Sequence, residues 1–379
     1  MFKKILFITG SRADFGKIKS LIWAVEKKVN AEAYIYVSGM HLQSEFGNTY
    51  QDVLSEHFNN TYVDYSQLNT NNASMDCGNI IVNLTSYVSK IHPDLIVVHG
   101  DRIEALAGAI VGALSNIFVA HIEGGEVSGT IDDSIRHAVS KLSTIHLVCN
   151  EDSKNRLLQL GEQNERIIIL GSPDIDIMKK YQHLDNSHLF EKYRLRKQKY
   201  AIMIYHPVTT EIEHLQKNIK ELFLALDQTE YSYIVIHPNN DLGHEIILQE
   251  FKEKESCGKY TFFKSIPFED FLLLLRDSEF IIGNSSVGIR ESGIYGIPAI
   301  DIGTRQNSRI HNKLNVNIQH VDNSAQEILN AISRVQNYRK MSANFGDGNS
   351  TERFIDFLNS NINEIISLQK VFVDININP

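Results

Sequence analysis

Short apolar runs, separated by polar or glycine-bearing turns and by longer stretches of helical period, set the rhythm of the chain. In the first half the runs are Ile5 to Thr9, Ala33 to Ser38, Asp94 to Val98, Ile117 to Ala120, Ile145 to Val148 and Ile167 to Leu170. They are apolar enough to predict strands covered on both faces, as in a parallel sheet. Helical patterns from about Lys17 to Lys27, Glu104 to Ser115, Asp133 to Ser140 and Glu151 to Gln159 fill the intervals at βαβ spacing. Residues 57–76, rich in Asn, Asp, Ser and Thr, predict a mobile loop or a short extended piece.

The pattern breaks at Gly171-Ser172-Pro173-Asp174 and then turns strongly polar from Lys179 to Lys199, which marks a domain junction. A second series follows, with strands at Tyr200 to Tyr205, Tyr233 to Ile236, Thr261 to Phe263, Phe280 to Ile282 and Ala299 to Ile302. Its helices are expected at about Glu213 to Asp227, His244 to Glu253, Phe268 to Leu275 and Ser286 to Tyr295. The expected fold class is therefore α/β, with two Rossmann-like domains, 1–175 and 176–350, facing across a cleft. A last helix, about Thr351 to Asn359, and a tail make up 351–379 and are expected to pack back on the first domain.

The length of 379 residues gives each half enough chain for its own core. Lys and Arg number 37 against 46 Asp and Glu, so the net charge of -9 leaves no broad cationic footprint and argues against nucleic acid as a partner. Residues 1–9 have too short an apolar run for a signal peptide and read as the first strand; no run approaches a membrane span. Cys77, Cys149 and Cys257 lie far apart without a CxxC pair, which suits a reducing, cytoplasmic location and argues against structural zinc.

Candidate chemistry gathers at the predicted strand ends. Gly10 to Lys17 lacks the dinucleotide GxGxxG and the P-loop pattern, but offers Arg12, Lys17 and backbone amides at a helix start, a plausible anion cradle. His99-Gly100-Asp101-Arg102 and His121-Ile122-Glu123-Gly124-Gly125-Glu126 end two more strands, and Asp132, Asp133, Arg136 and His137 follow closely. Asp101, Glu123, Asp132 and Asp133 read as one carboxylate cluster able to hold an acid and a base together. A divalent metal is the rival, disfavoured because Arg102, Arg136 and His137 supply positive charge and no compact ligand motif appears. In the second half, Gly283-Asn284-Ser285-Ser286 enters a helix carrying Glu291, a candidate acceptor for ribose hydroxyls, and Gly303-Thr304-Arg305-Gln306 adds a guanidinium. His206-Pro207, followed by Val208-Thr209-Thr210, reaches the same rim, where His206 can donate to a phosphate or protonate a leaving one.

Together these strings, including the full run from His121 to His137, resemble the UDP-N-acetylglucosamine 2-epimerase family over nearly the whole chain. Within it the chain is similar to the hydrolysing branch of sialic- and legionaminic-acid synthesis. The non-hydrolysing branch usually carries Thr-Arg-Pro-Glu after the first strand and Glu-Ala-Gly where this chain has Glu123-Gly124-Gly125. The resemblance implies a two-domain GT-B fold whose cleft is lined by Arg12, Asp101, Glu123, Asp132, Asp133, Arg136, His206, Ser285, Ser286, Glu291 and Arg305. Phe271 resembles a residue beside the uracil, with a core role the competing assignment. The implied reaction releases UDP and a free N-acetylmannosamine from a UDP-sugar through a 2-acetamidoglucal, with no cofactor. Asp101 and Glu123 are the leading proton-transfer groups, with Asp132 or Asp133 competing. The UDP-sugar substrate and the UDP product are the implied partners, with a homodimer as the family's usual assembly. UDP-N,N'-diacetylbacillosamine is the alternative substrate, favoured by the string from Asn240 to Gln249. A GT-B glycosyltransferase and a non-catalytic UDP-sugar sensor share the fold and rank lower.

Overall fold

The computed structural model describes residues 2–68, 70, 72–128, 131–196, 198–307, 316–342 and 344–374. Gly129 and Thr130 of the family string, Lys197 of the polar junction and 375–379 of the tail lie outside them. The chain forms two compact units, one of 1–126, 131–177 and 345–379, the other of 127–130 and 178–344.

The first unit holds β1 (Lys4–Thr9), β2 (Glu32–Val37), β3 (Thr61–Val63), β4 (Leu95–His99), β5 (Phe118–Ile122), β6 (Ile145–Val148) and β7 (Ile167–Ile169). They form one sheet in the order β3-β2-β1-β4-β5-β6-β7, every pairing parallel. The helices are α1 (Arg12–Lys28), α2 (Tyr50–Ser55), α3 (Ala73–Ile91), α4 (Ile103–Leu114), α5 (Ile131–Leu142) and α6 (Glu151–Gln159); after β7, α7 (Pro173–Tyr181) runs from the first unit into the second, and α8 (Ser187–Lys192) belongs to the second. Because strand side chains alternate, Ile5 and Phe7 join one core with Phe15, Ile18 and Leu21 of α1, while Leu6 and Ile8 join another with Ile80 and Leu84 of α3 and Ala105 of α4. Burial on both faces is why these strands read as unbroken apolar runs.

The second unit holds β8 (Tyr200–Ile204), β9 (Ser232–Ile236), β10 (Tyr260–Phe263), β11 (Ile281–Gly283), β12 (Ala299–Ile302) and β13 (Ile318–Val321), in the order β10-β9-β8-β11-β12-β13, again parallel. Its helices are α9 (Ile212–Asp227), α10 (His244–Lys254), α11 (Phe268–Arg276), α12 (Val287–Arg290) and α13 (Ala325–Ser333). In each sheet the strand order reverses once, between β1 and β4 and between β8 and β11. Open α/β sheets bind ligands outside the carboxyl ends of the strands at such switch points.

The short extended piece expected within 57–76 is β3, paired with β2, but the stretch ends in a helix: α3 starts at Ala73, its first turn capped by the Asn72 side chain accepting from the amides of Ser74 and Met75 at 3.1 Å each. The helix expected over Ser286 to Tyr295 is cut to α12 and a separate 3-10 turn, Ser292–Tyr295, where Ser292 and Gly293 weaken helix continuation. A sixth strand, β13, and its helix α13 extend the second sheet.

The C-terminal piece of the first unit starts at 345, ahead of the 351 expected from the last helical stretch. Ser172 N donates to the Phe345 carbonyl at 2.7 Å, and Asp176 accepts from the amides of Ser350 and Thr351 at 3.0 and 2.6 Å. Next, α14 (Ser350–Asn359) lays Phe354 and Phe357 into the α1 core beside Phe2 and Phe7, and α15 (Ile362–Ile365) follows. The tail then carries Lys370 back to α5. Its Nζ donates to the carbonyls of Ser140, Lys141 and Ser143 at 3.2, 3.0 and 2.9 Å and meets Glu162 Oε2 at 2.6 Å. A cation on unsatisfied carbonyls at a helix end is favourable. Burial alone would raise the Glu162 carboxyl, but His146, Lys141 and Lys370 outweigh it and hold it down at about 2. Lys370→Ala leaves Glu162 with two of its three positive or donor neighbours, so a loss of about 2 kcal/mol in urea unfolding is expected, below the range for stripping a buried charge bare. Unchanged stability would mean that the tail is not anchored by this lysine.

Candidate active site

At the carboxyl edge of the first sheet the start of α1 differs from expectation. The amides proposed as an anion cradle already hold a carboxylate: Asp14 accepts from the backbone of Gly10, Ser11 and Phe15 at 3.0, 2.9 and 2.7 Å and from Thr9 Oγ1 at 2.9 Å. Ser11 and Asp14 form a reciprocal capping box. Arg12 turns instead to α2, where its Nε donates to Asp52 at 2.6 Å. Lys17 points toward carboxylates, 3.6 Å from Glu123 and 3.7 Å from Asp174.

The expected single carboxylate cluster resolves into two groups, each organised around positive or donor side chains. Glu123 follows β5 with φ of +65°, a conformation costly for a residue with a Cβ, which persists only where the surroundings enforce it. Its amide is locked to the Leu147 carbonyl at 3.1 Å. Its carboxylate accepts from Ser172 Oγ at 2.9 Å and faces His99 Nε2 at 3.3 Å as well as Lys17. It is 6% exposed. Backbone strain at a buried carboxylate ringed by a cation, an imidazole and a hydroxyl makes Glu123 a candidate for chemistry.

The second group centres on Arg136 of α5, which is buried. It pairs with Asp101, just beyond Gly100, and with Asp133 one turn earlier on its own helix at 2.6 Å, and donates to the Glu126 carbonyl at 3.3 Å. Asp132 stands beside Asp133 in the first turn of α5, half-buried. His121 fixes this arrangement from below. Its Nε2 is 2.8 Å from the Gly100 carbonyl, which requires the proton on that nitrogen, and its Nδ1 is 3.0 Å from Ser140 Oγ. Burial pushes its pKa down to about 3, so it is a neutral brace between the Asp101 loop and α5. Arg102 follows Asp101, its Nε 3.5 Å from Glu104.

Glu123, Glu126 and Cys149 are all buried and bring one ligand atom each within 4.8 Å of one another, the set among the described residues that could hold a metal ion. A cation there would compete with Lys17 and His99 for Glu123.

In the second unit, the ends of β8 and β11 are tied by Asn284. Its Oδ1 accepts from the His206 amide at 2.7 Å and its Nδ2 donates to the His206 carbonyl at 2.8 Å. The Asn239 amide donates to His206 Nδ1 at 3.0 Å, which places any ring proton of the neutral form on Nε2. The Asn284 carbonyl accepts from Arg305 Nη1 at 3.4 Å and Gln306 Nε2 at 2.9 Å, so His206 and Arg305 are linked through one asparagine. Ser285 and Ser286 are half-buried at the start of α12; Glu291, at its end, is 2% exposed. Phe271 is buried on α11.

Ser172, Asp174, His121, Asp52 and Asn284 were not singled out as site residues from sequence. The first two carry a sequence signal, because Gly171 to Asp174 follows a strand as well as marking the domain break. Arg12–Asp52 pairs residues far apart in the chain and left no such signal.

These two sheets and their sites define a two-domain Rossmann-like α/β enzyme. The chain belongs to the UDP-N-acetylglucosamine 2-epimerase family, whose model matches residues 24–359. It is 44% identical to the UDP-N-acetylglucosamine 2-epimerase of Neisseria meningitidis serogroup B over 99% of this chain and 100% of that protein. To the hydrolysing UDP-N,N'-diacetylbacillosamine 2-epimerase of Legionella pneumophila it is 31% identical, over 94% of this chain and 96% of that one. The crystal structure of the Methanocaldococcus jannaschii UDP-GlcNAc 2-epimerase in complex with UDP-GlcNAc and UDP is similar with a TM-score of 0.80, at 22% identity and covering 94% and 99% of the two chains, and supports the GT-B-type fold. Among the described residues no helix is long and apolar enough to cross a membrane.

Proposed function

We propose that the protein is a hydrolysing UDP-N-acetylglucosamine 2-epimerase, converting UDP-N-acetylglucosamine and water into UDP and N-acetylmannosamine for sialic-acid-type nonulosonate synthesis. The observation that carries this is the strained, buried Glu123 beside Lys17, His99 and Ser172. The hydrogen on sugar C2 is only weakly acidic, and removing it requires a carboxylate held against it while the C1–O bond to UDP is weakened. Loss of the C2 hydrogen and of UDP from C1 leaves a 2-acetamidoglucal. Water then adds at C1 while C2 takes a proton from the opposite face, which inverts C2 and frees the manno sugar. Asp101 and Glu123 carry the two proton transfers, with Asp132 or Asp133 as the competing partner. His206, Ser285, Ser286 and Arg305 hold the diphosphate in the second unit, Glu291 the ribose, and Arg12, Lys17, Arg102 and Arg136 supply positive charge from the first. This elimination needs no nicotinamide. The departures at Ser11, Ala13 and Asp14 and at Gly124 favour release of free sugar, as does likeness to relatives described as hydrolysing. A homodimer in the cytoplasm accords with the family resemblance and the cysteine spacing.

A second substrate, UDP-N,N'-diacetylbacillosamine, is favoured by the relatives at 31% identity. The two sugars share UDP and the C2 acetamido group and differ at C4 and C6. Incubating the protein with each pure UDP-sugar and comparing kcat/KM decides between them. The higher value is expected for UDP-N-acetylglucosamine, and failure to consume either removes the assignment.

A further inference from the structure

Beyond α15 the tail is held at two points. Ile366 is buried in the α1 core, and four residues later Lys370 Nζ reaches the end of α5, where the carbonyls of Ser140, Lys141 and Ser143 accept from it and Glu162 faces it. The last carbonyls of a helix lack partners within the helix, so a lysine shared among three of them fixes the position of that turn. Ser140 also looks the other way. Its Oγ is 3.0 Å from His121 Nδ1, and His121 Nε2 donates to the carbonyl of Gly100, the residue before Asp101, at 2.8 Å. The neutral imidazole carries its proton on Nε2, so Nδ1 accepts and Ser140 donates. His121 and Ser140 are both fully buried, where a lost hydrogen bond is not replaced by bulk water. The fit is close: a Cβ on Gly124 would stand 2.9 Å from His121 Nδ1 and 3.0 Å from Ser140 Oγ, so the residue after Glu123 is glycine where this bond passes.

Arg136 stands one turn before Ser140 on the same face of α5 and pairs with Asp101 itself. Two rungs therefore join α5 to the Gly100–Asp101 turn, and the rung through His121 ends on the turn that Lys370 holds. We infer that Lys370 is a positioning residue: the C-terminal tail is a strap that seats the last turn of α5 and, through Ser140 and His121, sets the Gly100–Asp101 turn in the geometry that proton transfer requires. This rests on the UDP-sugar function proposed above, in which Asp101 transfers a proton.

The test compares Lys370→Met, Ser140→Ala and the double variant with wild type in the full chain, well below their unfolding temperatures. It reads kcat and KM for UDP-N-acetylglucosamine, the Kd for UDP by calorimetry, and amide hydrogen exchange. A displaced proton-transfer group slows the chemical step without weakening ground-state binding. Lys370→Met should lower kcat about 10-fold with KM and the UDP Kd within about 2-fold, and by less than about 3-fold once Ser140 is alanine, because both act through one rung. Equal losses in the two backgrounds, or unfolding at lower urea with kcat unchanged, would overturn the proposal and leave Lys370 an anchor alone. Should Lys370→Met fail to fold, Lys370→Gln, which keeps a donor without the reach to three carbonyls, is judged by the same criteria. If the wild type releases no sugar, the UDP-sugar function falls instead and hydrogen exchange decides on the strap. Faster exchange that reaches the amides of Gly100 to Arg102 in the Lys370 variant supports it; faster exchange confined to the tail and the end of α5 overturns it.

Discussion

Glu123→Gln should lower UDP-sugar turnover by about 10²-fold or more while leaving the affinity for UDP within a few-fold, the scale on which general acid–base help is lost. The amide keeps the size of the side chain and can still accept from Ser172 Oγ, now 2.9 Å away, so the φ of +65° and the local packing have no reason to change. What disappears is the charge facing Lys17 and His99, and with it the capacity to take a proton. UDP affinity is expected to hold because Glu123 is assigned to the proton at C2, and the diphosphate residues assigned to either unit all remain in place. Asp101→Asn should give a similar loss of turnover with an added cost in stability, since it removes one charged partner of the buried Arg136. Steady-state kinetics with UDP calorimetry on both variants checks this. Intact turnover in both would move the proton transfer to Asp132 or Asp133.

The second large effect is on acid stability. Burial pushes His41 down to about 4 and His121 to about 3, and it also lowers His146, so each imidazole is neutral in the folded chain well below the pH at which an unfolded histidine gains its proton. The unfolded state therefore binds more protons between its own pKa of about 6.5 and the folded values, and stability falls as pH drops through that window. Each group contributes a slope of up to about 1.4 kcal/mol per pH unit. Glu162, held at about 2 against an ordinary 4.5, adds to the loss further down. Urea unfolding from pH 7.5 to 4.5 should show a plateau above 7 and a steep decline below about 6. A flat profile to pH 5 would mean that these imidazoles are protonated in the folded chain.

Strands covered on both faces are legible because burial leaves few polar residues in the run: Ile145 to Val148 is a strand from end to end, with His146 its one polar residue. The apolar pattern ends short of the true ends of β4 and β5, where His99 and His121 look like turn residues, although His121 is a buried strand residue satisfied by Gly100 and Ser140. The helix α3 was missed because Asn79, Asn83, Thr85, Ser86 and Ser89 dilute its pattern, leaving Ile80, Leu84 and Val88 as its buried apolar stripe. At the site, sequence located the strand-end motifs but not their pairing. That Asp14 would occupy its own helix start, that Arg12 would reach Asp52, and that Glu123 and Asp101 would sit in separate groups depend on tertiary placement of side chains, which spacing along the chain does not encode.

The claim that this protein abstracts and returns a proton at C2 while releasing UDP to water is tested most directly in D2O. UDP-N-acetylglucosamine incubated with the wild-type protein and no acceptor should give UDP and free N-acetylmannosamine carrying one deuterium at C2, read by proton NMR and mass spectrometry. A product that keeps its UDP, or free sugar with the original hydrogen at C2, would contradict it.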